Sequence, residues 1–219
     1  MSARLIMILA ILAGFFLIMA GVTFLLWQPP SSTTGSTVAM AAHLAEHQTA
    51  NLLYVISVYL SGVLFLPALL MLTFRLYSKR PNAAIVAGML FGLGYTLEMV
   101  ATLASLAQWV VAVPEAAQGD PLGIKLFQTL TLQYLAVDFS GVGLVYVAAI
   151  IYAVALWRLH RAASSLLLTS TGLLVIGFAT VPLFPSLSSI FIAGSILIYG
   201  LAYIALGQVA VELGRDQKT

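Results

Sequence analysis

This sequence predicts an all-α bundle of six transmembrane helices, and three observations carry that prediction. The 219-residue chain is 62% hydrophobic and only 7% charged, against about 25% charged residues in soluble domains. Its apolar runs are continuous rather than alternating, which excludes a transmembrane barrel. Eight of its nine Lys and Arg residues fall on one side of a six-span path.

The spans follow in order. Leu5 to Trp27 is the first, with Arg4 before it and Gln28-Pro29-Pro30 behind it. Its apolar run exceeds the ~7–15 residues of a signal-peptide core, so an uncleaved first helix is expected. A polar stretch, Ser31 to Thr37, leads to a helix capped by Ser36 or Thr37, which continues through His47 and Asn51. The second span is Leu52 to Tyr77, with a kink expected at Pro67. The third is Ala83 to Val113, and a Pro-containing connection from Pro114 to Gly123 leads to the fourth, Ile124 to Trp157. Ser164 to Val181 and Ser186 to Leu213 complete the six, each long enough to cross ~30 Å of hydrocarbon.

One domain, 1–219, accounts for the whole chain. Residues 31–50 are read as an external loop with an interfacial helix, and 214–219 as a cytoplasmic tail. Arg4, Arg75, Lys79, Arg80, Arg158, Arg161, Arg215 and Lys218 lie on one side and Lys125 on the other. The positive-inside rule therefore places both termini in the cytoplasm.

Two acids stand inside these spans, Glu98 in the third and Asp138 in the fourth. An ionisable group at that depth costs a few kcal/mol and usually faces the bundle interior. Glu98 lies 18 residues beyond Arg80 and Asp138 lies 20 before Arg158. At a rise of ~1.5 Å per residue both are about 27–30 Å from the cytoplasmic surface. The same count reaches Thr23, Ser61, Thr180 and Tyr199. Tyr95 shares a helical face with Glu98, and Tyr134 shares one with Asp138. The candidate ligand- or ion-binding residues are therefore Glu98, Asp138, Tyr95, Tyr134 and Ser61. Gly88-x-x-x-Gly92 offers a close helix approach nearby.

His43-Leu44-Ala45-Glu46-His47 has the spacing of the inverted zincin motif. No third acidic ligand occupies a comparable helical setting, so no metal site is expected. His43, His47 and Asn51 instead continue toward Tyr54 and Ser61 as a candidate access path. Enzyme chemistry finds little support. The chain has no Cys, which removes thiol catalysis and iron–sulfur clusters. None of its three His lies within a span, where haem ligation would need them. No serine-nucleophile elbow is present. The basic clusters are those that topology requires, so nucleic acid is not an expected partner. The partners expected are the lipid bilayer and a small molecule or cation, with no cofactor.

The segment from Gly88 to Glu98, Gly-Met-Leu-Phe-Gly-Leu-Gly-Tyr-Thr-Leu-Glu, carries a family likeness. So does Val142 to Pro182, an apolar span, a basic turn and then Gly172 in the next span. On these the chain resembles the bacterial domain-of-unknown-function 4386 family. The resemblance implies a multi-pass protein of the bacterial inner membrane. Members of that family commonly carry an Arg three residues before the Glu, where this chain has Tyr95, so an ion pair built into the helix is missing. Two functions remain open: a non-enzymatic protein that binds or transports a small ligand, proton or cation at the intramembrane acidic site, and a structural or regulatory membrane subunit without a ligand. A cavity lined by Tyr95, Glu98, Tyr134 and Asp138 favours the first. A tightly packed interior that hydrogen-bonds those groups favours the second.

Overall fold

Helices make up almost all of the chain because there is nothing else to satisfy its backbone. In hydrocarbon every N–H and C=O must bond within its own segment, and a helix does that. The structure, a computed structural model, describes residues 2–27, 36–181 and 183–216. The helices are α1 (Ala3–Trp27), α2 (Thr37–Glu46), α3 (Gln48–Tyr77), α4 (Pro81–Ala107), α5 (Val113–Ala117), α6 (Pro121–Leu156), α7 (Arg161–Thr180) and α8 (Pro185–Asp216). Six candidate spans result, with α4 and α5 forming one continuous unit across a π-helical turn at Gln108–Ala112. The expected six-span, all-α bundle is what the chain forms.

Caps set most of the boundaries. Ser36 accepts from the Ala39 N–H at the start of α2. Asp120 accepts from the Gly123 N–H at 2.6 Å and starts α6. His160 Nδ1 accepts from the Ala163 N–H and starts α7. Each side chain occupies a donor that a helix N-terminus leaves orphaned. The π turn has its own cause. Pro114 lacks an N–H and its ring crowds the carbonyl four residues back. The ladder widens there, and the Val113 N–H bonds to the Gln108 carbonyl.

Three expectations change. The helix before the second span does not run through His47; the chain turns there, at φ −102° and ψ 24°, and α3 starts afresh at Gln48. The connection from Pro114 to Gly123 is partly helical, as α5. The helix of the last span continues to Asp216, so the tail expected at 214–219 is helical for its first three residues. Of the loop expected at 31–50, residues 31–35 lie outside the described residues.

The six spans close into a ring in the order α1, α3, α4, α6, α7, α8, and α8 returns to α1. Contact between α3 and α8 also crosses this ring. Lipid tails are as apolar as the core, so close packing of small side chains has to hold the helices together. The two most extensive interfaces, α4–α6 and α1–α8, each contain a reciprocal glycine pair. A methyl group on Gly94 would lie 2.8 Å from the Gly141 carbonyl oxygen, and one on Gly141 would lie 2.9 Å from that of Gly94. Gly14 and Gly200 are related in the same way. Large apolar residues such as Phe74, Met89 and Val154 face outward, as a lipid-contacting surface requires.

Two further contacts fix the ends. Arg75 reaches from the last turn of α3 to the Ala210 carbonyl of α8. At the other end, Ala41 and Leu44 of α2 pack with Trp109, Ala112, Val113, Ala116 and Phe127 into a small second core. The interfacial helix is thus seated on the bundle as a cap.

An even number of spans brings both ends of the chain to the face that carries the basic clusters. Labelling tests which side of the membrane this is. Gly119 has φ 81°, so a Cys there would be strained, and exposed Gln118 is the better probe. Gln118→Cys is expected to react with an impermeant maleimide in intact cells, and Ser78→Cys to stay unlabelled until the cells are opened. The opposite pattern would invert the orientation.

Candidate functional site

The α4–α6 crossing places the acids. Gly94 stands one turn before Glu98 and Gly141 one turn after Asp138. Where these glycines touch, the two helices are too close for side chains, and the contact extends to the Glu98 backbone, whose nitrogen would lie 3.0 Å from a methyl on Gly141. Gly141 is close enough to Glu98 that an added methyl would lie 3.0 Å from its Cγ. The close approach therefore falls at Gly94. Gly92, expected from the Gly88-x-x-x-Gly92 pattern, has nothing within 4 Å, and Gly88 instead meets Thr73.

The space beside this crossing is a cavity of about 290 Å³, to which all six spans contribute. Glu98, Asp138, Tyr95, Tyr134 and Ser61 all line it. Both acids are half-buried. No Lys, Arg or His is on the wall. Neither carboxyl group forms a hydrogen bond among the described residues. The Thr102 hydroxyl bonds only to the Glu98 backbone carbonyl.

The aromatic part of the wall is larger than the sequence indicates. Trp27 and Phe24 of α1 pack on Tyr54 of α3, with ring centroids 5.6 and 5.7 Å from it. Tyr146 of α6 stacks on Tyr199 of α8 at 5.1 Å, and Tyr199 meets Tyr203 at the same distance. Serines hold Tyr146 in place. Ser170 and Ser195 each donate to the other's backbone carbonyl, at 2.9 and 2.8 Å, and the Tyr146 hydroxyl bonds to Ser195 Oγ at 2.7 Å. Trp27, Tyr146 and Tyr203 carried no signal, because a helix apolar all round has no periodicity to mark its inner face.

Three buried side-chain polar atoms lack a hydrogen-bond partner among the described residues: Trp27 Nε1, Ser61 Oγ and Tyr199 OH. All three residues line this cavity. Orphaned buried polar atoms are rare and costly. The three atoms themselves are shut off from the cavity, so their cost falls on the packing of the wall around it.

Of the expected access path, Tyr54 and Ser61 are on the cavity wall, and His43, His47 and Asn51 are not. The turn at His47 breaks the helical register on which that stripe depended. His43 Nε2 bonds to the Trp27 backbone carbonyl at 3.1 Å, His47 Nδ1 bonds to the His43 carbonyl at 3.0 Å, and Asn51 is buried. The contact from His43 satisfies a carbonyl in the last turn of α1 and ties α2 to that helix.

One ligand atom each from His43, Glu46 and His47 lies within 4.8 Å of the other two, the one such group among the described residues. Three ligands can hold zinc with a position left open. The two imidazoles, however, are stacked at 4.2 Å with 28° between their planes. Their lone pairs run side by side instead of meeting at a point. Wild-type protein is accordingly expected to carry far less than one equivalent of zinc by elemental analysis. His43→Ala should cost about 1 kcal/mol through the lost bond to Trp27. A retained equivalent of metal that His43→Ala/His47→Ala abolishes would make this trio a metal site.

Comparison with family models, with curated proteins and with solved structures returned no match. The functional argument therefore rests on the cavity.

Proposed function

We propose that this chain is a non-enzymatic membrane protein that binds or transports a small ligand or cation in the cavity at Glu98 and Asp138. The observation that carries the reading is the pair of carboxyl groups, without hydrogen bonds from the described residues, in the wall of one largely apolar cavity. A structural subunit would gain by satisfying these groups within the bundle. A binding site keeps them for its ligand, and cavities between bundle helices with a few convergent polar groups are common ligand sites. The likeness of Gly88 to Glu98 to the domain-of-unknown-function 4386 family belongs to the same proposal, as does placement in a bacterial inner membrane.

The test is what the protein retains. Mass spectrometry of small molecules and ions extracted from purified protein should find one species in stoichiometric amount. That species should be lost from Glu98→Gln/Asp138→Asn. Identical extracts from the two proteins, with no stoichiometric species in either, would contradict the reading.

A further inference from the structure

The lining of the cavity also specifies a ligand class. Of its 21 residues ten are aromatic, eight are aliphatic and only three, Ser61, Glu98 and Asp138, are neither. A hard metal cation gives up its water only where several oxygens close around it. Six of the aromatic residues are tyrosines, but the Tyr146 hydroxyl is taken by Ser195 and the Tyr199 hydroxyl is shut off from the cavity. The aliphatic remainder of the wall offers no oxygen. An anion meets two carboxyl groups and no cation. A wholly apolar ligand leaves the carboxyl groups unpartnered. An alkylammonium ion satisfies both halves of the wall, because its charge attracts carboxylates and its alkyl surface packs on aromatic faces.

We propose that the cavity binds an organic ammonium ion whose head lies at Glu98 and Asp138, among the rings of Tyr54, Tyr95 and Tyr134. This rests on the reading of the cavity as a binding site. Two details narrow the ligand. Trp27 Nε1 is closed off from the cavity, so what Trp27 offers the ligand is ring surface. On the other side the cavity reaches the surface of the bundle. Phe139 and Phe178 both line it while remaining 50% and 38% exposed, and their rings meet at 5.3 Å across the α6–α7 seam. An apolar substituent fits that seam. At about 290 Å³ the cavity is at the small end of ligand sites, which favours a compact head group over a bulky drug-like cation.

Choline tests the charge and the shape separately, because 3,3-dimethylbutan-1-ol is its neutral carbon analogue. Each is titrated into purified wild-type protein, followed by tryptophan fluorescence and by calorimetry, with sodium as a competitor. Saturable choline binding is expected, with the analogue weaker by about tenfold or more and no displacement by sodium. Glu98→Gln should weaken choline about tenfold. Tyr134→Leu keeps both charges, removes one ring face and should weaken it about threefold. If the analogue binds as tightly as choline, the site is for a neutral ligand. If sodium displaces choline one for one, the site is for an inorganic ion. Either result overturns the ammonium assignment and leaves the binding site standing. Failure of all three probes to bind also overturns the assignment, and the extraction experiment then decides on the site itself.

Discussion

Gly94→Ala is expected to destabilise the bundle by about 1–3 kcal/mol, the usual cost of forcing atoms into a packed contact. The new methyl would lie 2.8 Å from the Gly141 carbonyl oxygen and 2.9 Å from the Val145 backbone nitrogen. Both are backbone atoms on α6, so relief requires the helices to move apart. The loss should exceed what glycine chemistry alone implies, since in an open helix position Ala is favoured over Gly by about 1 kcal/mol. Gly92→Ala is the matched control, on the same helix two residues away and with nothing within 4 Å. It should leave stability unchanged or raise it. Thermal unfolding in detergent, followed by circular dichroism, reads both. Equal midpoints for the two variants would mean that α4 and α6 do not meet at Gly94. Because the same crossing sets the acids, Gly94→Ala should also weaken any ligand held at Glu98 and Asp138.

Much of this architecture was legible in the residues, for a simple reason. Span length and hydropathy are set by bilayer thickness, so six apolar runs read directly as six helices. Ser36 announced its cap. The depth count placed Glu98, Asp138, Ser61 and Tyr199 at one level because the helical rise is constant, and those four do line one cavity. Thr23 and Thr180 share that depth but not the site. Each turns its hydroxyl back onto carbonyls of its own helix, a choice depth alone cannot reveal. Direction around the helix axis was the main loss. In a soluble helix polar residues mark the outer face, but here both faces are apolar and the marker disappears. Trp27, Tyr146 and Tyr203 were hidden for that reason, and the glycine pattern pointed to Gly92 instead of Gly94. The break at His47 has neither Pro nor Gly to announce it. It follows from tertiary packing, in which α2 joins the small core of Trp109 and Phe127.

The second large effect concerns the acids and has an unusual sign. Glu98 and Asp138 hold carboxyl groups in the wall of a largely apolar cavity without a hydrogen bond from the described residues. Polar groups placed so cost stability, and apolar residues of similar size often do better. Proteins tolerate such costs where function requires them. Glu98→Met/Asp138→Leu should therefore unfold at a higher temperature than wild type, by about 1–3 kcal/mol or roughly 2–12 °C for a chain of this size. Had the acids served as interhelical glue, removing them would cost stability of similar size. The measurement is the thermal midpoint of both proteins in detergent, after washing that removes retained small molecules. A midpoint for the double variant above that of wild type is the predicted result. A midpoint clearly below it would make Glu98 and Asp138 structural, and would contradict their assignment to a binding site.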